Sequence, residues 1–459
     1  MVINMTRTFH QQSQLVEGNL ALALAPALTP TGIVQDPNFF QGFVSHPQVI
    51  ARSLLVLADI VATRYFNYTP KPLRDPILSA QGDRLRAECF SACNGVYARL
   101  DLLQSGFDGQ IDYGTTNVDI GMELRTALSQ IKQQDKLYMS IGYDGFSVTP
   151  IQMTNDNIIS LGKKVIERPV QMPNRWVRAL GNAAEIHKDM KASFTLNKTA
   201  AQGFVASLPP ATGKSRSGWL IPTATGIKMM PRSTSGAIYV SGLHRLSALK
   251  RIMTNIEGMT FYAPIEAEPG VFMLMVALPS MRLTISLTAE AWRGYSGEGS
   301  LLESLAQADI LEAAETIIST LEFDAVISET QIAKKWQMSK KQVQGALSIL
   351  ALSGKLGFDA HDNAYFHREL PHDPTRVSKD NPRLMAARKL VNEARRTDEN
   401  KWSVPSKDIE YLVTFDKTQG AHRAKCTCTW YLNHQNERGP CKHILAVQLK
   451  EESHESKVN

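Results

Sequence analysis

Cysteine is scarce in this chain, with five in 459 residues, yet three fall within KCTCTWYLNHQNERGPCKHILAVQ, from Lys425 to Gln448. Cys426 and Cys428 form a Cys-x-Cys pair, and after twelve intervening residues Cys441 and His443 form a Cys-x-His pair. A Cys-x-Cys pair can offer two thiolates from one backbone knuckle. Three thiolates and one imidazole suit a closed tetrahedral zinc site. Gly439 lets the chain turn, and Pro440 suits the first turn of a helix from about Cys441 to Lys450. That helix would carry Cys441 and His443 near its start. It would pack Ile444, Leu445 and Leu449 on a hairpin made by EYLVTF and AHRAKC across the turn DKTQG. Four protein ligands leave no open coordination position, so a single Zn2+ is expected to be structural, holding its small subdomain folded.

The same cysteines bear on compartment. An odd number, clustered rather than spread, favours a reducing environment with metal or thiol chemistry over a disulfide framework. The stretch LALALAPAL, Leu20 to Leu28, resembles a short signal core, but it follows Glu17 and a polar rather than basic segment, and it reads as a strand. No apolar run reaches membrane-spanning length. A cytoplasmic protein with no membrane partner is expected. The net charge is +6. Residues 321–459 hold about +4 of it, which makes the C-terminal part modestly the more basic.

The length suggests two to four domains. SHPQVIARSLLVLADIVATRY, residues 45–65, reads as a buried helix with Ser45 as its cap and Pro47 in its first turn. DRLRAECFSACNGVY reads as a second helix, and KLYMSIGYDGFSV as strands around a turn. GVFMLMVALPS and RLTISLTAEAW read as paired strands. Residues 1–300 are therefore expected to form an α+β body, with no fold that the pattern names.

From Leu301 the pattern changes. LLESLAQADILEAAETIISTL is an amphipathic helix, TQIAKKW a second, QMS a turn and KKQVQGALSILALSGK a third helix capped by Ser339. LGFD and AYFHREL follow across a turn. This is the order of a winged helix-turn-helix, assigned to residues 301–370. Residues 371–405 read as a linker with the basic helix RLMAARKLVNEARR, and residues 406–459 as the finger. In a DNA-reading version Lys340, Lys341, Gln344 and Ser348 would face outward, the lysines to phosphates and the glutamine to an adenine edge. The weakly basic helix and the two aspartates in the wing, FDAHDNAYF, favour a docking or spacer role instead. Around the finger, His422, Arg423, Lys425, Arg438, Lys442 and Lys450 supply positive charge. Trp430 and Tyr431 offer either stacking faces or a miniature core, and Trp430 is assigned to the core.

Other motifs carry blander readings. LPPATGKS lacks the first glycine of a phosphate loop, because Leu208 stands there, and reads as a surface loop. Cys89 and Cys93, spaced i, i+4, read as buried small hydrophobes rather than a redox pair. His367 and His372, near Glu369 and Asp373, read as loop polarity rather than a second metal site. WRGYSGEG and GTTNVD read as polar turns.

Cys-x-Cys, a gap, then Cys-x-His after a hairpin resembles a SWIM zinc finger, with RGPCKHIL and CTCTWY close to that family's wording. VSHPQVIARSLLVLADIVATRYF, FSACNGVYARLDLL, GTTNVD, AWRGYSGEG and YFHRELP extend the resemblance to bacterial SWIM zinc-finger proteins over nearly the whole chain. The resemblance implies Cys426, Cys428, Cys441 and His443 as ligands and a finger that contacts protein or DNA. It implies partners of the MoxR-type AAA ATPase and von Willebrand factor A classes. The expectation is a non-enzymatic, zinc-binding adaptor. The alternatives are a DNA-binding protein using winged helix and finger (Lys340, Lys341, Gln344, Arg423, Lys425, Lys442), or an enzyme with a cryptic site in the body.

Overall fold

The computed structural model describes residues 14–16, 19–22, 27–29, 32–34, 39–65, 76–117, 120–142, 145–154, 157–159, 163–164, 174–213, 215–264, 269–290, 294–295, 308–368, 382–406, 409–415, 424–434 and 440–455. The architecture is mixed α+β. One hydrophobic cluster draws on residues between Phe39 and Tyr295. A second joins Ala184 to residues between Ile310 and Val447. The helices are α1 (Pro47–Ala62), α2 (Met122–Gln130), α3 (Asn174–Lys188), α4 (Lys198–Ser207), α5 (Ala308–Ile318), α6 (Glu329–Trp336), α7 (Lys340–Leu352), α8 (Pro382–Leu390), α9 (Thr429–His434) and α10 (Lys442–Glu455).

A ten-stranded antiparallel sheet organises the body. Its centre runs Phe272–Leu278, Met281–Leu287, Val96–Leu103, Arg84–Phe90, Ile77–Gln81. Late and early segments meet where Leu283 pairs with Leu100 and Thr284 with Arg99. These strands are buried on both sides, as runs such as FMLMVAL require. The paired strands expected from GVFMLMVALPS and RLTISLTAEAW are present, as are those of KLYMSIGYDGFSV. LALALAPAL contributes two short strands, Asn19–Leu22 and Ala27–Thr29.

Several local expectations are corrected. DRLRAECFSACNGVY is not a helix. Arg84–Phe90 and the strand from Val96 lie side by side in the sheet, so Cys89 sits on a strand and Cys93 in the turn beyond it. The residues alternate Arg84, Arg86, Glu88 with Leu85, Ala87, Cys89, and period two overrides the helix propensity of Leu, Arg, Ala and Glu. Gly82, at φ +77°, closes the tight hairpin that precedes them. GTTNVD begins as the strand Tyr113–Asn117. The basic helix after the linker ends at Leu390, and Arg395 and Arg396 lie in a strand. Helix α1 starts at Pro47 as expected, but Ser45 does not cap it; the Ser45 hydroxyl donates to the Ser105 carbonyl.

Beyond the body, α5, α6, α7 and the hairpin Leu356–Asp359/Ala364–His367 follow in the expected order, with a bridge between Ile327 and Tyr365. Ser339 caps α7: its hydroxyl accepts from Gln342 N (3.2 Å) and the Gln342 side chain accepts from Ser339 N (2.9 Å). Ser339→Ala should lower stability by about 1 kcal/mol, read from urea unfolding, while Ser339→Asp should retain most of it. Helix α7 packs on α5 and also on α3 of the body. Gly181 permits the α3 crossing, since a Cβ there would lie 2.6 Å from Leu352 Cα and 2.8 Å from Ala351 O.

Candidate metal centre

Four strands, Arg395–Asp398, Lys401–Ser406, Ile409–Phe415 and Ala424–Cys426, form an antiparallel sheet against which α10 packs. Cys426 ends the last strand, paired with Val413. The knuckle is then pinned from both sides: Thr427 N donates to Leu412 O (3.1 Å) and Leu412 N donates to Thr427 Oγ1 (3.0 Å). Cys428 leads into α9, a short helix that the sequence reading did not anticipate. Its sulfur accepts the Tyr431 N–H at 3.4 Å. Across the sheet Cys441 opens α10, and its sulfur accepts the Ile444 N–H at 3.5 Å. The four side chains are all buried, and their ligand atoms lie within 4.8 Å of one another.

A group this compact could hold one metal ion. Sulfurs about 2.3 Å from a common centre sit about 3.8 Å apart, and a sulfur and a nitrogen slightly closer. His443 Nδ1 stands 3.7 Å from Cys426 Sγ and 3.9 Å from Cys441 Sγ. The imidazole is stacked on Tyr411, with ring centroids 4.2 Å apart, which holds the ring in its plane. The thiols perturb one another strongly. Hydrogen bonding to Cys428 and Cys441 drives Cys426 upward, and hydrogen bonding to Cys426 and Cys441 holds Cys428 far below the usual thiol range. Cys441 is lowered by its contact with Cys426 but raised by Cys428 and by burial, ending at about 11. A divalent cation bound here would displace the protons that remain on Cys426 and Cys441.

The surroundings hold the centre in place. Ile444, Leu445 and Val447 are buried under α10. Arg383 donates to Pro440 O (3.1 Å) and lies over Trp430 at 4.5 Å, so Trp430 is part of the finger's packing, as assigned.

The described nucleic-acid candidates lie on three elements, α7, the strand Ala424–Cys426 and α10. Lys340, Lys341 and Gln344 are exposed at the start of α7, and Gln344 donates to Glu329 at 3.1 Å. Ser348 is a correction: it is buried, donating to Glu185 at 2.9 Å, because α3 covers that side of α7. Lys425 is exposed on its strand. Lys442 is half-buried and donates to Ser406 Oγ at 2.8 Å. Arg423, His422 and Arg438 lie outside the described residues, as do His372, Glu369 and Asp373. His367 is buried and accepts the Phe323 N–H at 2.8 Å. Of WRGYSGEG, Gly294 and Tyr295 are described; Tyr295 is buried, and its N–H donates to Asn94 O.

The aspartates of the hairpin Leu356–Asp359/Ala364–His367 and its turn have a role the sequence did not suggest. Arg86, Asp101 and Arg282 lie in register across three body strands, and Arg99 stands beside them between Glu88 and Thr284. Asp359 enters this polar face from the hairpin, 2.7 Å from Arg99 and 3.3 Å from both Arg86 and Arg282. Asp362 reaches Arg84 (2.6 Å) and Arg282 (2.8 Å). Phe366 lies 3.8 Å beneath the Arg86 guanidinium. Arg368 grips Glu88 at 2.6 and 2.8 Å, and Glu88 also accepts from Tyr97. Nearby, Tyr365 donates to Glu185 at 2.9 Å. His187, packed on Tyr97, is kept neutral: burial pulls its pKa down to about 3, with Arg99 acting in the same direction.

A cavity between α1, α2 and the sheets, lined by residues such as Ile50, Leu78, Leu100 and Leu124, is apolar throughout and offers no acid, base or nucleophile. Among the described residues, no helix is long and apolar enough to cross a membrane.

No protein-family model matches the chain, and no curated protein matches it. Among solved structures, Proliferating Cellular Nuclear Antigen from Entamoeba histolytica is similar over 55% of this chain and 99% of that one, at 10% sequence identity and a TM-score of 0.37. A TM-score that low carries no conclusion about fold or function.

Proposed function

We propose that this chain is a zinc-binding, non-enzymatic protein of the bacterial SWIM-finger kind, acting as an adaptor whose finger is a recognition surface. The observation that carries the reading is the buried Cys3His group, whose ligand atoms lie within 4.8 Å of one another. Four protein ligands fill the coordination sphere, which suits a structural ion and leaves no place for a substrate. The finger also presents apolar side chains to solvent: Leu432 is 68% exposed, Ile409 57% and Leu412 41%. Exposed leucines and isoleucine on a rigid, metal-held frame suit a protein partner better than a phosphate backbone.

The unit at residues 301–370 is a winged helix used for docking. Its wing is committed to the body through Asp359, Asp362 and Arg368, and its third helix is covered by α3 beyond the first turn. The DNA alternative through this unit is left with Lys340, Lys341 and Gln344.

The partner class follows from the family resemblance, and purified proteins test it. The full chain should carry one zinc ion and retain a MoxR-type AAA ATPase or its von Willebrand factor A companion. Leu432→Glu with Leu412→Glu should abolish retention without loss of zinc. Absence of binding to both proteins would overturn the adaptor reading, and a chain that takes up no zinc would overturn the finger.

A further inference from the structure

Between Met190 and Ile256 the chain contains nine basic residues, Lys191, Lys198, Lys214, Arg216, Lys228, Arg232, Arg245, Lys250 and Arg251, and no aspartate or glutamate. The whole chain has 50 basic and 44 acidic residues, so 67 residues without one acid are far from its average. The segment builds adjoining elements. Helix α4 packs on the strand Gly226–Met230 and on the 3-10 helix Leu243–Asn255. The strand Gly218–Thr223 joins Gly226–Met230 to Ile238–Val240 in a three-stranded sheet.

Two of the arginines are already used. Arg245 is buried and donates to the carbonyls of Ser241 (3.0 Å) and Thr288 (2.9 Å). Arg251 meets Asp59 of α1. Lys191, Lys198, Arg216, Lys228, Arg232 and Lys250 are exposed, and none meets a carboxylate among the described residues. Exposed hydroxyls lie among them, including Thr199, Ser215, Thr223, Thr225, Ser233 and Ser235. Cations interleaved with hydroxyl donors are the donor set that phosphate oxygens take.

We propose that this unit is a nucleic-acid surface that grips the phosphate backbone of a duplex without reading its sequence. The surroundings decide between polyanions. None of the large apolar side chains exposed elsewhere on the protein lies between residues 190 and 256, so nothing is placed to enter a lipid layer. Trp219 and Phe204 are buried and Tyr239 is half-buried, so the unit lacks the open aromatic platform on which single strands stack. What remains is a dispersed field of cations, which suits a regular line of phosphates.

The test uses the zinc-loaded full chain and a fluorescent 25-base-pair duplex of arbitrary sequence, titrated at several salt concentrations. Binding should weaken steeply with salt, and its log–log slope should count the phosphates neutralised at about 0.9 each. Lys198→Glu, Lys228→Glu and Lys250→Glu together should weaken binding by roughly tenfold or more and flatten the slope by about 2 to 3. These side chains are exposed, so an unchanged melting temperature will show that the fold survives. Lys340→Glu with Lys341→Glu, and separately Lys425→Glu, should leave duplex binding unchanged, which separates this surface from the winged helix and from the finger. The proposal is overturned by absence of duplex binding at low salt, or by an unaltered slope in the triple variant. It is equally overturned if phosphatidylserine vesicles or poly-glutamate bind as well as the duplex does.

Discussion

Cys428→Ser is expected to strip the zinc and unfold the last fifty or so residues while the body keeps its structure. A neutral serine hydroxyl is a far poorer zinc ligand than the thiolate it replaces, so the loss should exceed the ~10–100-fold that outer-shell changes cost. The four-stranded sheet and α10 enclose few large side chains apart from Trp402, Val404, Val413 and those of α10 itself, and a unit that small depends on its metal. Metal content and the emission of Trp402 and Trp430 should change together. The body should persist, because among the described residues its hydrophobic cluster draws on none of the last fifty. Full zinc retention in this variant would refute the ligand assignment. In the unmodified protein, zinc should leave as pH falls, since protons compete for the same sulfurs and imidazole.

Asp359→Ala should be the most damaging single change outside the finger. It leaves Arg86 and Arg99 fully buried, and Arg282 nearly so, without the carboxylate they share. Breaking a buried ion network from one side costs about 3–5 kcal/mol. Asp359→Asn should cost less, because it keeps hydrogen-bonding atoms in place. The pH dependence provides a second check. Burial would raise the Asp359 carboxyl, but Arg99, Arg86 and Arg282 outweigh it and hold it well below the usual carboxylate range. A carboxyl depressed in the folded state contributes stability that is fully present above its unfolded pKa of about 3.9 and is lost as pH falls toward the folded value. The stability gap between the natural chain and Asp359→Ala, measured by urea unfolding, should be constant from neutral pH to about 5 and shrink below about 4. A gap that widens on acidification would contradict the network.

The metal group was legible because ligand chemistry is written in residue type and spacing: Cys426, Cys428, Cys441 and His443 needed no tertiary context to be grouped. The order of α5, α6, α7 and the hairpin was legible for a related reason, since its caps and turns are local. The body was not. Arg84, Arg86 and Glu88 looked like helix surface because charge normally faces water, whereas here it faces the hairpin of another unit. Only the alternation with Leu85, Ala87 and Cys89 hinted at a strand. Ser348 was misplaced for the same reason: α7 alone says which side meets α5, but not that α3 covers another. Long-range burial of polar faces leaves little trace in local pattern.

The strand pairing at the heart of the body has a consequence for synthesis. Val96–Leu103 finds its neighbour Met281–Leu287 only when chain some 180 residues further on has been made. At translation rates of about 5–20 residues per second, that is on the order of ten to forty seconds. Throughout that interval the strand offers a bare edge with three leucines, a valine and a tyrosine, the kind of template that invites wrong partners. Yield of the intact chain should therefore respond to growth temperature and to chaperone supply far more than its final stability would suggest.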